Sequence, residues 1–475
     1  MDTQRVLDIF KEITTVPRGS GNETRITEWL TKWGNSRSLD VKVDGIGNVC
    51  ITREAAKGKE NVPTVVLQAH QDMVCEKNEG VTHDFLKDPI KYVEEDGWLI
   101  AKDTTLGADD GIGIAAALAL LESDEPTGKI EAVFTISEET GMDGAEYMKD
   151  GFFTGRILIN LDSEDEGQLF IGCAGGVNTE VRINFFAEPV FSGHTLLSIT
   201  VGGGLGGHSG DDINKERMNA VQQMARFLYS EFDLGAGFQL IDLQGGGKHN
   251  AIARECHAIV AVPNPASFKR SVAKFSRELR EEFHVTDPDV FCKCEETSTR
   301  LYAVDYVSAL GLLSSLYTCP HGVQAMSQDI PGLVQTSTNL ASVHRNGNRF
   351  GIVTSQRSSS VAECRNIASR VRANFETVGA RVRHVNEYPG WNPNPDSPIL
   401  AKCVESYRRL FNREPEVKAI HAGLECGLFL KKFPGLDMIS FGPTLRCVHA
   451  PGEKLELASL PKFVDLLNDV VCNLK

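Results

Sequence analysis

Histidine and carboxylate side chains recur where apolar stretches of the sequence end. His70 and Asp72 directly follow the run TVVLQA, and Glu138 and Glu139 follow EAVFTI. Asp162 follows a third such run, ILINL. Ligand sites in parallel sheets lie at the carboxyl ends of strands, so these positions are candidates for chemistry. Each also has a simpler explanation, because a lone Asp there is often a cap or turn residue and a lone His is often structural.

Two further candidates lie in a glycine-flanked turn and in a distant loop. Asp109 and Asp110 open a small-residue helix, where a carboxylate is ordinarily an N-cap. The flanking glycines also allow the backbone to approach a charged group closely. His449 lies in the loop CVHAP, and alone it would be an ordinary surface histidine. The adjacent Glu138 and Glu139 repel each other and are costly to bury unless a cation or a proton intervenes.

Taken together, these residues form a ligand set of nitrogen and oxygen atoms without thiolates. Such a set suits Zn²⁺, Mn²⁺ or Co²⁺ rather than a structural cysteine site. Two metals about 3.5–4 Å apart that share one carboxylate would use five of these ligands. One glutamate would remain to take a proton from a metal-activated water.

The elements that must position these residues alternate between helix and strand in the first third of the chain. Apolar periodicity predicts helices over 5–13, 24–33 and 111–122, and strands over 64–69, 130–136 and 156–161. The pattern of predicted helices and strands becomes α+β from about Gly176. It returns to α/β after a Pro/Asn-rich joint near residue 390. We therefore expect an α/β fold, with a mixed, mostly parallel sheet flanked by helices and an inserted α+β domain. The expected boundaries are 1–175 and 391–475 for the two parts of the catalytic domain, and 176–390 for the insert.

Composition narrows the classes of function. The chain has 475 residues and a formal net charge of −15, so nucleic acids and anionic membranes are poor partners. The apolar run near residue 115 is too short to span a bilayer, and no secretory signal is visible. The twelve cysteines are scattered, which indicates mostly buried thiols in a reducing cytoplasm.

The order and spacing of these motifs resemble the aminoacyl-histidine dipeptidases, also called Xaa-His or cytosol non-specific dipeptidases. They belong to the co-catalytic di-zinc exopeptidase superfamily. The resemblance covers nearly the whole chain and includes seven segments in order: AHQDMV (69–74), TTLGADDGIGIA (104–115), ISEETGMDGA (136–145), INLDSEDEG (159–167), GCAGG (172–176), GGHSG (206–210) and IHAGLECGLF (420–429).

The resemblance implies two Zn²⁺ ions per subunit, for which Mn²⁺ or Co²⁺ can substitute. The implied ligands are His70 and Asp162 for one metal, Glu139 and His449 for the other, and Asp109 as the bridge between them. Asp72 would orient His70 from behind the site. Glu138 would be the general base and then donate its proton to the leaving amine.

The resemblance also implies roles outside the metal centre. The insert would be a lid that helps to form a homodimer. His208 would stabilise the developing oxyanion. In one arrangement of the homodimer, it would do so across the dimer interface. Arg357 would bind the C-terminal carboxylate of a small dipeptide, a task that suits the guanidinium fork. Asn250 would be another lid contact. The implied location is the cytoplasm.

Three positions depart from the family pattern. Asp110 stands where such dipeptidases often have Asn, and Ala253 replaces a customary proline. The last motif, often GPHSPDE, here reads CVHAPGE over residues 447–453. These departures affect the His449 assignment and the substrate preference.

Three alternatives to a dipeptidase remain. The run Gly202–Gly207 satisfies GxGxxG after a predicted strand, as in a nucleotide binder. It leads, however, into HSGDD, which puts negative charge where a phosphate would sit. A non-catalytic homologue would have lost a ligand or the base, and none is lost. A carboxypeptidase, tripeptidase or deacylase of the same superfamily shares most of the motifs.

Overall fold

The computed structural model describes residues 1–299, 301–328, 330–421 and 423–475. The segment IHAGLECGLF includes Ala422, which lies outside the described residues. The helices, α1 to α12 in chain order, are Thr3–Ile13, Thr24–Asn35, Ala108–Glu122, Glu138–Gly141, Asp143–Tyr147, Ala220–Asp233, Pro265–Glu282, Tyr306–Thr318, Val361–Glu376, Pro398–Phe411, Glu425–Lys432 and Leu460–Cys472.

Most of the described strands are short, and those of ten or more residues are Gly175–Asn184, Val334–Asn346 and Arg349–Ser358. In chain order, β1 to β23 are Asp40–Val43, Val49–Arg53, Val65–His70, Val93–Glu95, Trp98–Ile100, Ile130–Thr135, Ile157–Asn160, Gln168–Cys173, Gly175–Asn184, Ala187–Glu188, Thr195–Gly202, Gln239–Gly246, Cys256–Val262, Phe291–Glu296, Ala303–Val304, Gly322–Met326, Val334–Asn346, Arg349–Ser358, Arg381–Tyr388, Glu416–Ile420, Asp437–Ser440, Leu445–Arg446 and Lys454–Glu456.

The chain divides into two compact units. The first comprises Met1–Cys173, Trp391–Ala419 and Leu424–Lys475, and the second comprises Ala174–Gly390 and Ile420–Gly423. The sequence had placed 420–423 with the last segment of the chain, whereas the structure groups these residues with the second unit. The predicted assignment of the insert as a lid and dimerisation domain remains a prediction.

The first unit is built on a mixed eight-stranded sheet in the order β1-β2-β6-β3-β7-β21-β8-β20. The four central strands, β6, β3, β7 and β21, run parallel, and β2 and β8 pair antiparallel on either side of them. This arrangement belongs to the predicted α/β class. Helix α3 is buried along its whole length from Ala108 to Leu121, as its lack of a polar face predicts. It begins three residues before the predicted start at Gly111.

The second unit contains a nine-stranded sheet. Eight strands follow the order β14-β11-β13-β12-β17-β18-β9-β19, and the ninth, β16, pairs with β17 off this path. The described pairings are antiparallel. Helices α6 to α8 pack apolar faces against this sheet, and Phe227, Phe275 and Leu312 lie in the shared core. The glycine run after β11 opens no α-helix, because the next one begins only at Ala220. This is not the strand-turn-helix that a dinucleotide fingerprint requires.

Two general expectations from composition can be checked. All twelve cysteines are free and eight of them are buried, so the prediction of mostly buried thiols is confirmed. Within the described part of the chain, no helix is both long and apolar enough to cross a membrane.

Candidate active site

The carboxyl ends of three adjacent parallel strands carry candidate residues in the first unit. His70 is the last residue of β3, Glu138 follows the end of β6, and Asp162 follows β7. Strand β3 pairs in parallel with both β6 and β7, with His70 beside Thr135 and Gln68 beside Asn160. The strand ends therefore share one edge of the sheet, where α/β proteins hold their ligands.

Asp109 lies between two histidines that are distant in sequence. Its Oδ1 is 2.9 Å from Nε2 of His70, and its Oδ2 is 3.0 Å from Nε2 of His449. Asp162 Oδ1 lies 3.6 Å from the same nitrogen of His70, and Glu139 Oε2 lies 2.9 Å from Nε2 of His449. One carboxylate thus belongs to both clusters, one oxygen to each.

These side chains form three groups whose potential ligand atoms lie within 4.8 Å of one another. The groups are His70–Asp109–Asp162, Asp109–Glu139–His449 and His70–Glu138–Glu139. All donors are imidazole nitrogens and carboxylate oxygens, the set that Zn²⁺, Mn²⁺ and Co²⁺ accept. The side chains present therefore fit a pair of divalent cations that share Asp109.

The electrostatics of the cluster show how much negative charge is crowded there. Burial and the nearby charge of Asp109 raise the pKa of Asp162 to about 7. Burial and the charges of Asp162 and Glu139 raise the pKa of Glu138 well above its usual value. Burial opposes charge on His449, but its hydrogen bonds to Asp109 and Glu139 prevail and raise its pKa to about 11. The carboxylates thus draw protons in the absence of a metal, and a divalent cation would satisfy the same demand.

Asp72 organises two parts of the cluster at once. It is fully buried, and its two oxygens accept hydrogen bonds from the backbone N–H groups of Glu138 and Glu139, at 3.0 and 3.2 Å. Its Oδ1 also lies 3.5 Å from Nδ1 of His70. Because Nδ1 faces Asp72, the Nε2 lone pair of His70 is directed to the side where Asp109 and Asp162 lie. The structure thus brings Asp72 next to the residue that it was predicted to orient.

Sequence reasoning missed a buried ion network that holds the Asp109 turn. Glu453 is 2% exposed, and both its oxygens accept backbone N–H groups of residues 106–109, at 2.7 to 3.3 Å. The buried guanidinium of Arg18 donates to backbone carbonyls that include the one of Gly107. Glu453 lies four residues after His449, so one loop both carries His449 and fixes the turn of Asp109. The only signal in the sequence was the acid that closes the last family motif.

The second unit brings together the other predicted residues. His208 Nδ1 lies 3.1 Å from Asp211 Oδ2, and the backbone N–H of Ser209 donates to the carbonyl of Asn250 at 2.8 Å. His208 and Asn250 are thus on neighbouring segments. Arg357 on β18 is 7% exposed and pairs in register with Ser337 on β17.

His421 joins this cluster and was not predicted. Its Nε2 lies 2.7 Å from Oγ of Ser337, the cross-strand partner of Arg357. Burial, followed by the positive charge of Arg357, lowers the pKa of His421 to about 3, so the ring is neutral. Among the described residues, the buried Arg357 Nε, His421 Nδ1 and Ser209 Oγ have no hydrogen-bond partner. Unpaired buried polar atoms of this kind suit a polar ligand.

Comparisons with known proteins agree on one family. The model of peptidase family M20/M25/M40 matches residues 66–473. The cytosol non-specific dipeptidase of Escherichia coli (strain K12) is 36% identical over 99% of this chain and 98% of its own length. The crystal structure of aminoacylhistidine dipeptidase from Vibrio alginolyticus superposes with a TM-score of 0.89 at 35% identity, covering 99% of this chain and 96% of that one. Aminopeptidase PepT from Bacillus cereus shares the fold, with a TM-score of 0.63 at 17% identity and coverage of 99% and 98%.

Proposed function

Because the chain belongs to peptidase family M20/M25/M40, we propose that it is a metal-dependent dipeptidase that hydrolyses Xaa-His and other Xaa-Xaa dipeptides. The Escherichia coli and Vibrio alginolyticus relatives, which match along almost their whole length, carry dipeptidase names. Our proposal extends that activity to this chain.

The observation that carries the proposal is the position of Asp109. Its two oxygens point to two different histidines, His70 and His449, and each histidine has a further carboxylate beside it. Two symmetric groups that share one carboxylate are the arrangement expected of a co-catalytic pair of metals.

The metals, when bound, supply Lewis acidity that polarises the peptide carbonyl and makes water nucleophilic at neutral pH. Glu138 would accept the proton of the attacking water and return it to the leaving amine. Glu138 belongs to the same ligand group as His70 and Glu139, so its carboxyl group is next to the proposed metal site. Asp72 holds Glu138 in place through the backbone N–H of that residue.

The residues of the second unit would recognise the substrate. We infer that Arg357 binds the C-terminal carboxylate, that His208 donates to the developing oxyanion and that Asn250 makes a further substrate contact. Support comes from the unpaired buried nitrogen of Arg357. Asp211 beside His208 is suited to keep that imidazole oriented.

The proposal also covers the metal, the cellular location and the assembly of the protein. Zn²⁺ is the proposed metal, two ions per subunit, with Mn²⁺ or Co²⁺ as substitutes, supported by the mixture of imidazole and carboxylate donors. The proposed location is the cytoplasm, in keeping with the name of the Escherichia coli relative. The proposed assembly is a homodimer formed through the second unit.

The test is hydrolysis of a dipeptide panel by metal-stripped protein, with and without added Zn²⁺, Mn²⁺ or Co²⁺. Each Xaa-His and Xaa-Xaa dipeptide is paired with its C-terminal amide, with a tripeptide and with an N-acyl amino acid. We expect metal-restored cleavage of free dipeptides and little cleavage of the amides or tripeptides. Cleavage of tripeptides or N-acyl amino acids instead would assign the chain to a tripeptidase or deacylase activity.

The Glu138→Gln variant is measured on the same dipeptide panel. It should lower kcat by about 10²–10⁴-fold, the usual contribution of a general base, and leave the metal content at two per chain. Near-normal turnover by this variant would overturn the role assigned to Glu138.

A further inference from the structure

Glu425, at the start of α11, is a buried carboxyl group that the proposed reaction does not use. It is 1% exposed. Its Oε2 accepts hydrogen bonds from Nε2 of Gln68 at 2.6 Å and from Oγ1 of Thr135 at 2.7 Å. Its Oε1 has no partner among the described residues. Burial raises the pKa of Glu425 to about 8. Burying a carboxyl group with one unpaired oxygen costs free energy, so we expect this group to have a role.

Glu425 is the end of a hydrogen-bond chain that crosses the sheet. The Oε1 of Gln68 accepts from Nδ2 of Asn160 at 2.6 Å, and the Oδ1 of Asn160 accepts from the hydroxyl of Ser440. Ser440 Oγ lies 2.6 Å from Oγ of Ser163. Because Ser440 already donates its only hydroxyl proton to Asn160, Ser163 must donate to Ser440. All bonds of the chain therefore point in one direction, and Glu425 is the final acceptor.

This hydrogen-bond chain lies directly behind the proposed metal centre. Gln68 on β3 precedes His70 by two residues, Asn160 on β7 precedes Asp162 by two, and Thr135 on β6 precedes Glu138 by three. Residues two apart in a strand share one face, so Gln68 lies on the same face of β3 as His70. One carboxyl group thus connects the ends of three strands that carry site residues.

We propose that Glu425 is a positioning residue. It fixes the ends of β3 and β6 through the hydrogen bonds that it accepts from Gln68 and Thr135, and the end of β7 through the bond between Gln68 and Asn160. With these strand ends it fixes His70, Glu138 and Asp162. The expected effect on kcat rests on the proposed function, whereas the expected effect on Co²⁺ affinity does not. Glu425 does not touch the substrate or the reacting atoms. Its role requires an acceptor oxygen facing Gln68 and Thr135, and it does not require charge.

The requirement for an acceptor defines two variants. Glu425→Gln keeps an oxygen toward Gln68 and Thr135 and places its amide nitrogen where Oε1 has no partner. Glu425→Met keeps the length and removes the acceptor. The two buried donors then keep only their longer bonds, from Gln68 Nε2 to Thr135 Oγ1 at 3.3 Å and from Thr135 Oγ1 to the carbonyl of Ala69 at 3.4 Å. We expect Glu425→Met to lower kcat and the affinity for Co²⁺ by about 10- to 100-fold, as changes behind metal ligands do, with KM nearly unchanged. Glu425→Gln should restore both to within a few fold of the unmodified chain.

Glu131 supplies the matched control. It is 1% exposed on the same strand, β6, and accepts three hydrogen bonds from Thr154 and Gly155. It lies near the opposite end of the strand from Glu138. Glu131→Met should therefore lower the thermal midpoint as a buried hydrogen-bond defect does, while kcat and Co²⁺ affinity stay unchanged.

The measurements are calorimetric titration of the metal-free chain with Co²⁺, steady-state kinetics with one dipeptide, and thermal unfolding. Equal losses in Glu425→Met and Glu131→Met, or unchanged kcat and Co²⁺ affinity in Glu425→Met, would overturn the proposal. If Glu425→Met fails to fold, Thr135→Val removes one donor without opening a cavity. It should then weaken kcat and Co²⁺ affinity by about fivefold, and no change would count against the proposal. The Co²⁺ affinities of the variants test the positioning role of Glu425 even if the protein cleaves no dipeptide.

Discussion

Two neighbouring carboxylates, Asp109 and Asp110, have opposite environments. Burial alone would raise the pKa of Asp109, but hydrogen bonds from His449 and His70 hold it far below its usual value. Asp110 has no such partner. Its Oδ1 accepts the N–H of Gly113, its Oδ2 is unpaired, and burial and the charge of Asp162 raise its pKa well above normal. Only Asp109 is in a position to bridge two cations.

We therefore predict that Asp109→Asn and Asp110→Asn behave differently. Asp109→Asn should lower metal affinity by more than about 100-fold, beyond the 10- to 100-fold effect of residues behind the ligands. Asp110→Asn should keep both metals and raise the thermal midpoint of the metal-free chain at pH 7. A carboxyl whose pKa is raised on folding loses stability as pH rises above its unfolded value, and Asn does not titrate.

Metal titration at pH 7, and thermal midpoints at pH 5 and pH 7, check this pair. The stabilisation by Asp110→Asn should be larger at pH 7 than at pH 5. Retention of both metals by Asp109→Asn would contradict the bridge. Loss of metal in Asp110→Asn would show that Asp110 is also a ligand, and would explain why Asp replaces the customary Asn.

The connection between α8 and β16 contains a histidine that ties three elements together. His321 Nδ1 accepts the backbone N–H of Leu340 on β17 at 3.2 Å. Asn219, the N-cap of α6, donates to the carbonyl of Leu340 at 2.8 Å and lies 3.5 Å from the same ring nitrogen. Burial lowers the pKa of His321 to about 4. The neutral ring is therefore part of the packing between α6 and β17.

From this contact we predict acid sensitivity in the second unit. A group whose pKa is depressed on folding contributes stability above its unfolded value, and that stability is lost as pH falls. For His321 the window runs from about pH 6.5, the unfolded value, down to about pH 4. His321→Gln keeps an acceptor and does not titrate, so its urea midpoint should fall less between pH 7 and pH 5 than that of the unmodified chain. Equal falls would contradict the assignment. Substitution at the exposed His257, as His257→Gln, serves as the control.

The second unit also presents unusually exposed apolar side chains. Phe186 is 81% exposed, Val307 is 77% exposed and Tyr306 is 61% exposed. They lie close together, since the N–H of Phe186 donates to Asp305, the residue that caps the helix containing Tyr306 and Val307. Clustered apolar exposure of this kind marks protein contact surfaces. It supports the proposal that two copies of the chain associate through this unit.

At the scale of the whole molecule we predict that Val307→Glu weakens the dimer, since it places a charge in an apolar contact. Sedimentation velocity at micromolar concentration should show a dimer for the unmodified chain and a shift toward monomer for Val307→Glu. Leu86→Glu, at a 53% exposed apolar position in the first unit, should remain dimeric. A monomeric unmodified chain, or an unaffected Val307→Glu, would contradict the proposed surface.

The elements of the second unit also show where sequence patterns fail. The hairpin formed by Val334–Asn346 and Arg349–Ser358 was not predicted, because many of its buried side chains are polar, among them Thr336, Ser337, Thr338, Asn339, Thr354 and Gln356. Some of their hydroxyl and amide groups pair across the hairpin, as between Thr336 and Ser358 and between Gln356 and Thr338. Others pair outside it, as Ser337 does with His421. Apolar alternation, the usual signal of a strand, is limited there to Phe350 and Ile352.

The sequence by itself determined the chemical character of the site. Ligands at the ends of apolar strands are local features, because a strand of the parallel core must be apolar and its carboxyl end must face the ligand edge. His70, Glu138 and Asp162 could therefore be found without coordinates. Tertiary structure alone decided which groups share a partner. Asp109 meets His449 across 340 residues, and Glu453 and Glu425 reach the turn and the strand ends that they hold from far along the chain. Such contacts depend on chain folding, since no local spacing encodes which distant backbone donors a buried carboxylate must satisfy.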